Sequence, residues 1–407
     1  MATIVEGHER GTVGYRRLGI ALWCAGVAIF TLVYAVQGLL PALAAEFAVT
    51  PAVASLALSA TTGALALAVV PLSAVAESWG RARVMSVALT VSAVLALLAP
   101  LAPTFGVLVL VRALQGVTLA AIPALAMAHV TAEVAPRHLG GAVGLLIAGN
   151  TVGGLTGRLV AGAVADLGGW RAGLAAVGVL SLGCTLAFRL LLPPQLTDDV
   201  ARTRLRDLGG PLRRHLADPA LLRLFGIAFL LMGAFVTVYN YLGFRLLAAP
   251  FGLPAGITAL VFLGYLAGSW TSSAAGRLGD RIGRRPVLCG AALVAIGGVV
   301  VTLPDVLAVL LVGVVLVTVG FFGAHSVASS WVGRRAALLP GGVPAVASAQ
   351  YLFGYYAGSS IGGALGGLAY QAAGWPAVAG YVAALLVGAL LLALGVRPLV
   401  LRAGQQH

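Results

Sequence analysis

The chain has 407 residues, of which 60% are hydrophobic and only 9% are charged, and its mean hydropathy is +1.03. Soluble domains carry about 25% charged residues, so this composition excludes an ordinary water-soluble protein. The formal net charge of +13 does not indicate a nucleic-acid-binding protein, because its basic residues are all arginines that lie in short gaps between apolar runs rather than on a basic arm.

Twelve apolar runs follow one another along the chain, and a helix needs about 20 residues to cross a bilayer. In chain order they lie near 18–43, 54–76, 84–100, 106–130, 140–164, 172–192, 222–247, 256–276, 286–303, 306–331, 345–369 and 376–396. We therefore predict an all-α membrane protein with twelve transmembrane helices. It would form a six-helix bundle at 1–192, a cytoplasmic linker at 193–221 and a second six-helix bundle at 222–407.

The arginines predict the orientation of these helices. With both termini in the cytoplasm, 21 of the 25 arginines fall in cytoplasmic segments or at cytoplasmic helix ends. Arg171 and Arg245 lie toward the outside, and Arg112 and Arg158 lie within spans. Cytoplasmic loops of membrane proteins carry an excess of basic residues. We therefore expect a multi-pass monomer of the cytoplasmic (plasma) membrane with both termini inside.

The two halves of the chain carry the same landmarks at similar spacing. The recurring pairs, at offsets between 203 and 209 residues, are Glu77 with Asp280, Gly80 with Gly283, Arg81 with Arg284, Gly149 with Gly358, Gly153 with Gly362 and Trp170 with Trp375. Similar offsets along the whole chain indicate duplication of a six-helix unit. Repeats related by an axis along the membrane normal place a substrate site at their interface, near the middle of the bilayer.

The most specific motif is the segment 276–285, GRLGDRIGRR, between the eighth and ninth predicted spans. It resembles the signature loop of the major facilitator superfamily, whose fold is a pair of pseudo-symmetric six-helix bundles. A carboxylate there can hold arginines of the loop and so stabilise one of two helix packings. The predicted cytoplasmic gate comprises Glu77, Gly80, Arg81, Gly276, Asp280, Arg281, Gly283, Arg284 and Arg285. The alternative is that these charges only fix the topology.

Arg112 lies in the fourth predicted span and is followed by Gln115 and Gly116. This arrangement resembles the span-four motif of the superfamily, an arginine followed by Gln-Gly. A buried arginine costs at least about 2.5–3.5 kcal/mol on insertion scales and is a functional-site hypothesis by default. The alternative is an arginine that snorkels to the outer surface, since Arg112 lies only about six residues into its span.

The fifth predicted span carries glycines at 149, 153 and 157, a small-residue stripe that favours close helix packing. Antiporters of the superfamily often have a glycine-and-proline motif there, and this segment has the glycines without the proline, so the resemblance suggests antiport. Asn150 and Thr151 belong to the same segment. Arg158 has no counterpart in the repeat, where Gly367 stands.

Further polar and aromatic residues fall on helices that line the cavity in this superfamily. Those we assign to substrate or proton coupling, besides Arg112, Gln115, Gly116, Asn150, Thr151 and Arg158, are Tyr34, Gln37, Tyr239, Asn240, His325 and Tyr355. Around Tyr239, His325 and Arg158 the sequence is similar to the YnfM-type efflux subgroup of the superfamily. Packing or interface anchoring is the alternative for any one tyrosine, and hydrogen-bonded packing is the alternative for His325.

The resemblance implies a secondary transporter that uses alternating access, and we predict efflux of a small organic solute in exchange for protons. The alternative is an importer or uniporter of a small organic anion. No carboxylate lies in the middle of a predicted span, so we expect Glu46 or Asp166 to pair with Arg112 or Arg158 if the outer helix ends converge. No catalytic constellation, metal-ligand spacing or Walker-type phosphate loop is visible, so neither an enzyme nor a cofactor or metal is expected.

Overall fold

The computed structural model describes residues 7–120, 122–196 and 209–396, of which residues 70, 73–78 and 124 are described by their backbone alone. Within these ranges the ordered elements are helices, apart from one isolated bridge between His8 and Val134. Nine helices in the described part of the chain are long and apolar enough to cross a membrane. Two of them contain two spans each, and the helix Phe105–Leu119 begins a further span, so the fold has twelve spans.

The first six spans are formed by eight helices. In chain order they are Val13–Tyr34 and Leu40–Glu46 (span one), the short helix Pro51–Ala54 and Leu56–Trp79 (two), Arg81–Leu98 (three), Phe105–Leu119 and Ile122–Glu133 (four) and Leu139–Leu191 (five and six). The helix Leu139–Leu191 is broken at Gly168 and Gly169, whose backbone angles are not helical. This break lies within the gap predicted between runs five and six.

The last six spans follow a short helix, Gly209–Ala217, at the end of the linker. They are Pro219–Leu247 (span seven), Ala255–Ala259 and Tyr265–Ile282 (eight), Arg284–Val301 (nine), Leu307–Ala337 (ten), Pro344–Ala357 leading into Gly363–Gly395 (eleven), and the remainder of Gly363–Gly395 beyond Gly374 (twelve). The helix Gly363–Gly395 is broken at Ala373 and Gly374. The break repeats the one at Gly169, 205 residues later, and supports the internal duplication.

Close glycine contacts hold spans one and five together. A Cβ added to Gly149, Gly153 or Gly157 would fall on the backbone of Trp23, Val27 or Thr31 of span one. The same contact recurs in the second half, where Gly358 meets the backbone of Phe229 in span seven. The predicted small-residue stripe is therefore confirmed as a helix-packing surface, because only residues without a side chain allow this approach.

Packing divides the chain into two compact units. The first combines the N-terminal half of the chain with Tyr239–Leu263 of spans seven and eight and with Gly363–Ala372 of span eleven. The second contains span seven up to Val238, the residues Gly264–Gly362, and span twelve. The halves 1–192 and 222–407 remain our prediction for the sequence repeat, and the packing units cut across that division.

Candidate functional site

Arg112 is buried in span four and its guanidinium bonds to main-chain carbonyls. Its Nη1 and Nη2 donate to the carbonyls of Leu32 and Val33 at 2.8 Å each, and its Nε donates to the carbonyl of Ala57 at 3.1 Å. Nη1 also donates to Oε1 of Gln115 at 2.7 Å. This residue therefore joins spans one, two and four from a central position.

The local structure of span one explains why carbonyls serve as acceptors. Leu32 and Val33 lie in the last turn of the helix Val13–Tyr34, which passes into a 3₁₀ segment, Ala35–Leu39. The carbonyls of a last helical turn lack their normal partners and carry partial negative charge. A buried guanidinium satisfies these carbonyls and is itself stabilised by them.

The predicted pairing of Arg112 with an outer carboxylate is wrong for the residues that the structure describes. Oε1 of Glu46 lies 2.6 Å from Nη1 of Arg171 in an exposed ion pair. Oδ2 of Asp166 accepts a hydrogen bond of 2.7 Å from the main-chain N–H of Gly256. The carbonyls of span one lie closer to Arg112 in the fold than either carboxylate, a relation that sequence spacing does not reveal.

Arg158 is the centre of a second buried group at the arginine-poor end of the first unit. Its Nε donates to Oε1 of Gln37 at 2.8 Å, and Nε2 of Gln37 donates to Oδ1 of Asn240 at 2.7 Å. The guanidinium carbon lies 4.4 Å from the centre of the Tyr34 ring and 5.1 Å from that of Phe262. We call Tyr34, Gln37, Arg158, Asn240 and Phe262 the Arg158 cluster.

The Arg158 cluster ties four spans together through polar and cation–π contacts. Spans one, five, seven and eight each contribute at least one residue, and Tyr239 stacks on Phe262 at a ring distance of 5.4 Å. Desolvated cation–π contacts stabilise by about 2 kcal/mol. Five residues predicted from the sequence are thus brought together. Phe262 was not predicted, because an aromatic residue in an apolar run carries no signal until its neighbours are known.

A small cavity of about 10 Å³, the room of a single water molecule, adjoins the Arg158 cluster. Gln37, Tyr239, Thr258 and Phe262 are among the residues that line it. Nδ2 of Asn240 and Oγ1 of Thr258 are buried and have no hydrogen-bond partner among the residues that the structure describes. Buried polar groups left unpaired cost about 1–3 kcal/mol each, so this packing leaves hydrogen-bonding capacity that another arrangement of the helices can use.

The two repeats fill the position of Arg158 in different ways. Gly367, which stands at the position of Arg158 in the repeat, has no room for a side chain, because an added Cβ would lie 2.4 Å from the Cα atom of Ala52 and 2.5 Å from the Tyr241 hydroxyl. This hydroxyl donates to the carbonyl of Gly363 at 3.0 Å. In the first repeat the charged side chain of Arg158 on span five fills this position. In the second repeat the uncharged side chain of Tyr241 on span seven lies there instead.

A second aromatic group surrounds His325 in the second unit. Nδ1 of His325 and the hydroxyl of Tyr351 lie 2.9 Å apart, and the His325 ring lies 4.9 Å from Tyr355 and 5.7 Å from Phe321. Phe321 stacks face to face on Phe235 at 3.9 Å. We call these five residues the His325 cluster. His325 and Tyr355 are half-buried, whereas Tyr351, Phe235 and Phe321 are buried.

The remaining residues predicted for the site lie apart from these clusters. Thr151 bonds to the carbonyl of Ile147 in its own helix, and Asn150 lies against Gly26 of span one. Gly116 packs against the backbone of Thr61 in span two. Asn150 and Thr151 are about two helical turns from Arg158. The structure therefore does not join them to the Arg158 cluster.

The loop predicted to form the gate, residues 276–285, carries an ion-pair network in the second repeat. Oδ1 of Asp280 lies 3.2 Å from Nη2 of Arg284 and 3.6 Å from Nη2 of Arg334 in span ten. Arg281 and Arg285 are exposed, and Gly276 is half-buried in the helix of span eight. Arg334 was not predicted, since its contact with the loop depends on the packing of spans eight and ten.

The first copy of the gate loop has the same backbone but different contacts. Gly80 and Gly283 both have positive φ, 88° and 94°, and each separates two consecutive helices. Arg81 donates to the carbonyl of Ala128 at 3.3 Å. The side chain of Glu77 lies outside the described residues. The matching glycine conformation supports the repeat, and among the side chains that the structure describes Arg81 and Arg284 bind different acceptors.

No group of three or more His, Cys, Asp or Glu side chains in the described ranges is arranged to hold a metal ion. The molecule is a bundle of twelve apolar spans in two repeats, with charged and aromatic clusters buried inside spans. These features define a multi-pass membrane transport protein.

Comparison with known proteins gives the family. Residues 22–339 match the Major Facilitator Superfamily, to which the chain belongs. It is 39% identical over 384 residues to the MFS-type transporter YybF of Bacillus subtilis, covering 94% of each chain. It is also 39% identical to the inner membrane transport protein YnfM of Escherichia coli, covering 94% of this chain and 91% of that one.

Solved structures agree with the fold. The nucleoside transporter NupG superposes with a TM-score of 0.72 at 16% identity, covering 93% of this chain and 98% of its own. A bacterial homologue of the human lysosomal transporter Spinster, in an inward-facing and occupied conformation, superposes with a TM-score of 0.71 at 17% identity, covering 96% and 95%. The predicted superfamily and its twelve-helix fold are therefore confirmed.

Proposed function

We propose that the chain is a proton-coupled antiporter that exports a small organic solute from the cytoplasm by alternating access. Both termini and the arginine-rich helix ends would lie in the cytoplasm, as the distribution of arginines favours. The Arg158 cluster then lies near the outer ends of spans one, five, seven and eight. The observation that carries the proposal is the half-buried His325 in contact with Tyr351 and Tyr355.

Proton coupling requires a titratable group that each side of the membrane can reach in turn. Among the described residues, the carboxylates lie at span ends or outside spans, as Glu46, Glu133 and Asp280 illustrate. His325 lies well inside span ten and changes charge in the physiological range in water. Its hydrogen bond to Tyr351 fixes the orientation of the imidazole. We therefore assign proton binding to His325.

The aromatic side chains around His325 also suggest the substrate. Half-buried surfaces of His325 and Tyr355 within the membrane are better suited to a polar cavity than to lipid tails. Aromatic pairs contribute about 0.5–1.5 kcal/mol beyond the area that they bury. A solute with a planar or aromatic part would stack on Tyr355 while its binding displaces the proton from His325.

Everted membrane vesicles from an expressing strain provide the test. Respiration acidifies the lumen, which quenches a pH-sensitive acridine dye, and a panel of neutral and anionic aromatic solutes is then added. An antiporter moves the solute inward as protons leave, so we expect a substrate from this panel to restore fluorescence. The variant His325→Asn should give no recovery at equal protein level. The control His129→Asn, which changes a buried histidine of span four outside the His325 cluster, should retain it.

The direction of the response separates the alternatives. A symporter would instead accumulate the solute in right-side-out vesicles when the outside is acidified, and a uniporter would respond to no proton gradient. A small organic anion held by Arg158 is the substrate that such an importer or uniporter would take. Fluorescence recovery in His325→Asn vesicles equal to that of the unmodified protein would contradict the assignment of His325.

A further inference from the structure

A pocket of about 480 Å³ opens at the arginine-rich end of the first unit, apart from the aromatic clusters. Arg10, Arg137 and His138 line one side of it, and Gly144, Leu145 and Ala148 of span five line the other. The pocket therefore combines basic groups with an apolar wall. Neither the transport mechanism nor the gate loop uses these residues.

The segment before span one builds the basic side. The main-chain N–H of His8 donates to the carbonyl of Glu133 at 2.7 Å, and the N–H of Ala135 donates to the carbonyl of His8 at 3.3 Å. The Tyr15 hydroxyl donates to the carbonyl of His138 at 3.4 Å. These bonds hold the segment that carries Arg10 beside the turn that leads into span five, so hydrogen bonds of the fold form the basic side of the pocket.

The charges of the pocket are only partly neutralised. Arg137 forms an ion pair with Glu9. Arg10 makes no hydrogen bond or ion pair with the residues that the structure describes, and it also lines the pocket. Among the residues that the structure describes, one positive charge therefore remains in excess, and His138 also lines the pocket. An anionic group is the ligand that complements such a site.

The apolar wall gives the pocket a second property. Gly144 and Leu145 lie three and four residues after Gly141, and Ala148 lies four and three residues after them, so the four residues form one face of span five, and all four are exposed. The space above Gly144 is open, with no heavy atom within 4 Å of an added Cβ. An exposed apolar face inside a membrane span accommodates a hydrocarbon chain better than it accommodates water.

We propose that this pocket binds an anionic phospholipid. The phosphate lies among Arg10, Arg137 and His138, and one acyl chain runs along the face formed by Gly144, Leu145 and Ala148. The combination of an excess cation and a continuous apolar wall matches an amphiphile, whereas a soluble anion would use the basic side alone. This assignment is independent of the substrate and of proton coupling.

Native mass spectrometry of the full-length protein, stripped of lipid in detergent, provides the test. We expect dioleoylphosphatidylglycerol to bind more tightly than dioleoylphosphatidylcholine. The double variant Arg10→Gln/Arg137→Gln should lose about 30-fold in affinity for phosphatidylglycerol, from the typical contribution of two basic residues near anionic lipid. The matched control Arg16→Gln/Arg83→Gln removes the same charge from exposed positions outside the pocket and should retain binding.

A second variant tests the apolar wall without changing charge. Gly144→Leu fills the open groove and improves helix propensity, so it should weaken phosphatidylglycerol binding without unfolding the protein. The control is Gly290→Leu, at an exposed glycine of span nine with equally open space, which should leave binding unchanged. Equal phosphatidylglycerol binding by Arg10→Gln/Arg137→Gln and its control would overturn the proposal. The proposal would also be overturned if inorganic phosphate or glycerol phosphate bound as tightly as phosphatidylglycerol and displaced it, because the pocket would then be a site for a soluble anion.

Discussion

Thr31 and Thr237 make corresponding contacts in the two halves of the chain. The hydroxyl of Thr31 lies 3.1 Å from the carbonyl oxygen of Gly153, and that of Thr237 lies 3.1 Å from the carbonyl oxygen of Gly362 and 2.7 Å from that of Gly233 in its own helix. Each threonine thus links a first span of its repeat to the fifth span through a glycine of the packing stripe. The duplicated sequence has kept this helix contact as well as the glycines themselves.

The first prediction concerns this contact. Gly153→Leu should lower the melting temperature by several degrees, because the new side chain would meet the backbone of Val27 and overpacking costs about 1–3 kcal/mol or more. Gly183→Leu in span six, where an added Cβ meets nothing within 4 Å, is the control. Thermal unfolding of both purified variants is the measurement, and equal melting temperatures would refute the role of the stripe.

The fold was predictable because membrane spans depend on local properties. Length, apolarity and the repeat landmarks located the spans, and the breaks at Gly169 and Gly374 fall in predicted gaps. The two packing units were not predictable, since Tyr239–Leu263 joins the first unit through contacts with distant residues. Such contacts depend on how helices tilt and approach one another, which the hydrophobic pattern does not encode.

Arg112 provides the second prediction. Arg112→Ala should abolish transport, chiefly because the carbonyls of Leu32 and Val33 lose their buried donor, each at a cost of about 1–3 kcal/mol. The melting temperature should therefore fall together with activity. Thermal unfolding and vesicle transport measured on the same preparations check this. A variant with unchanged stability and full gradient-driven transport would contradict it.

The sequence predicted which residues belong to the site better than it predicted which atoms they contact. Polarity inside spans identified Arg158, Gln37 and Asn240, and the fold brings them within hydrogen-bond distance. The acceptors of Arg112 could not be read from the sequence, because every residue has a carbonyl and nothing in the apolar runs marks those of Leu32, Val33 and Ala57 as the ones that face Arg112. Phe262 and Phe321 were missed for a related reason, because the sequence does not distinguish an apolar site residue from the apolar residues around it.

The third prediction follows from the Arg158 cluster. Gln37→Leu keeps the side-chain volume but removes the hydrogen bonds to Arg158 and Asn240, so the closed packing should lose about 1–3 kcal/mol. We expect the outer ends to open more often. In a background without Cys24, Cys184 and Cys289, a cysteine substituted for the buried Thr258 should react about tenfold faster with an impermeant maleimide, since each 1.4 kcal/mol is a factor of ten.

The control for this experiment is a cysteine substituted for Leu101, which is 73% exposed between spans three and four of the same unit. Its labelling rate should not depend on Gln37. Equal reactivity of the Thr258→Cys protein with and without Gln37→Leu would show that the Arg158 cluster does not hold the outer ends closed.

The fourth prediction compares two glycines of the gate loop. Gly283 has φ 94° and ψ 151°, a conformation nearly restricted to glycine, so Gly283→Ala should destabilise by about 1–3 kcal/mol and lower transport. Gly276 is helical and has open space around it, so Gly276→Ala should stabilise slightly, by about 1 kcal/mol. Thermal unfolding should show a lower melting temperature for Gly283→Ala and a slightly higher one for Gly276→Ala. Destabilisation of equal size in both variants would rule out the backbone explanation.

The last prediction is a dependence of stability on pH at Asp218, which lies just before span seven. Burial disfavours its charged form, but hydrogen bonds from Arg335 at 2.6 and 3.2 Å and from the N–H of Leu221 at 2.8 Å outweigh burial and lower the pKa of its carboxyl. A carboxyl with a lowered folded-state pKa contributes stability that is fully present above its unfolded pKa, about 3.9. That contribution is lost as the pH falls through the folded pKa.

Asp218→Asn should therefore be less stable than the unmodified protein at pH 7, by about 2 kcal/mol, the typical contribution of hydrogen bonds to a charged group. The difference in melting temperature should narrow as the pH falls from about 4 toward the lowered folded-state pKa, because the carboxyl of the unfolded chain takes up its proton before the native carboxyl does. Asp280→Asn is the control, because its 59% exposed side chain forms ion pairs that solvent screens and that contribute little to stability. A difference for Asp218→Asn that stays constant from pH 7 to below pH 4 would mean that packing, and not the ionised carboxyl, stabilises the start of span seven.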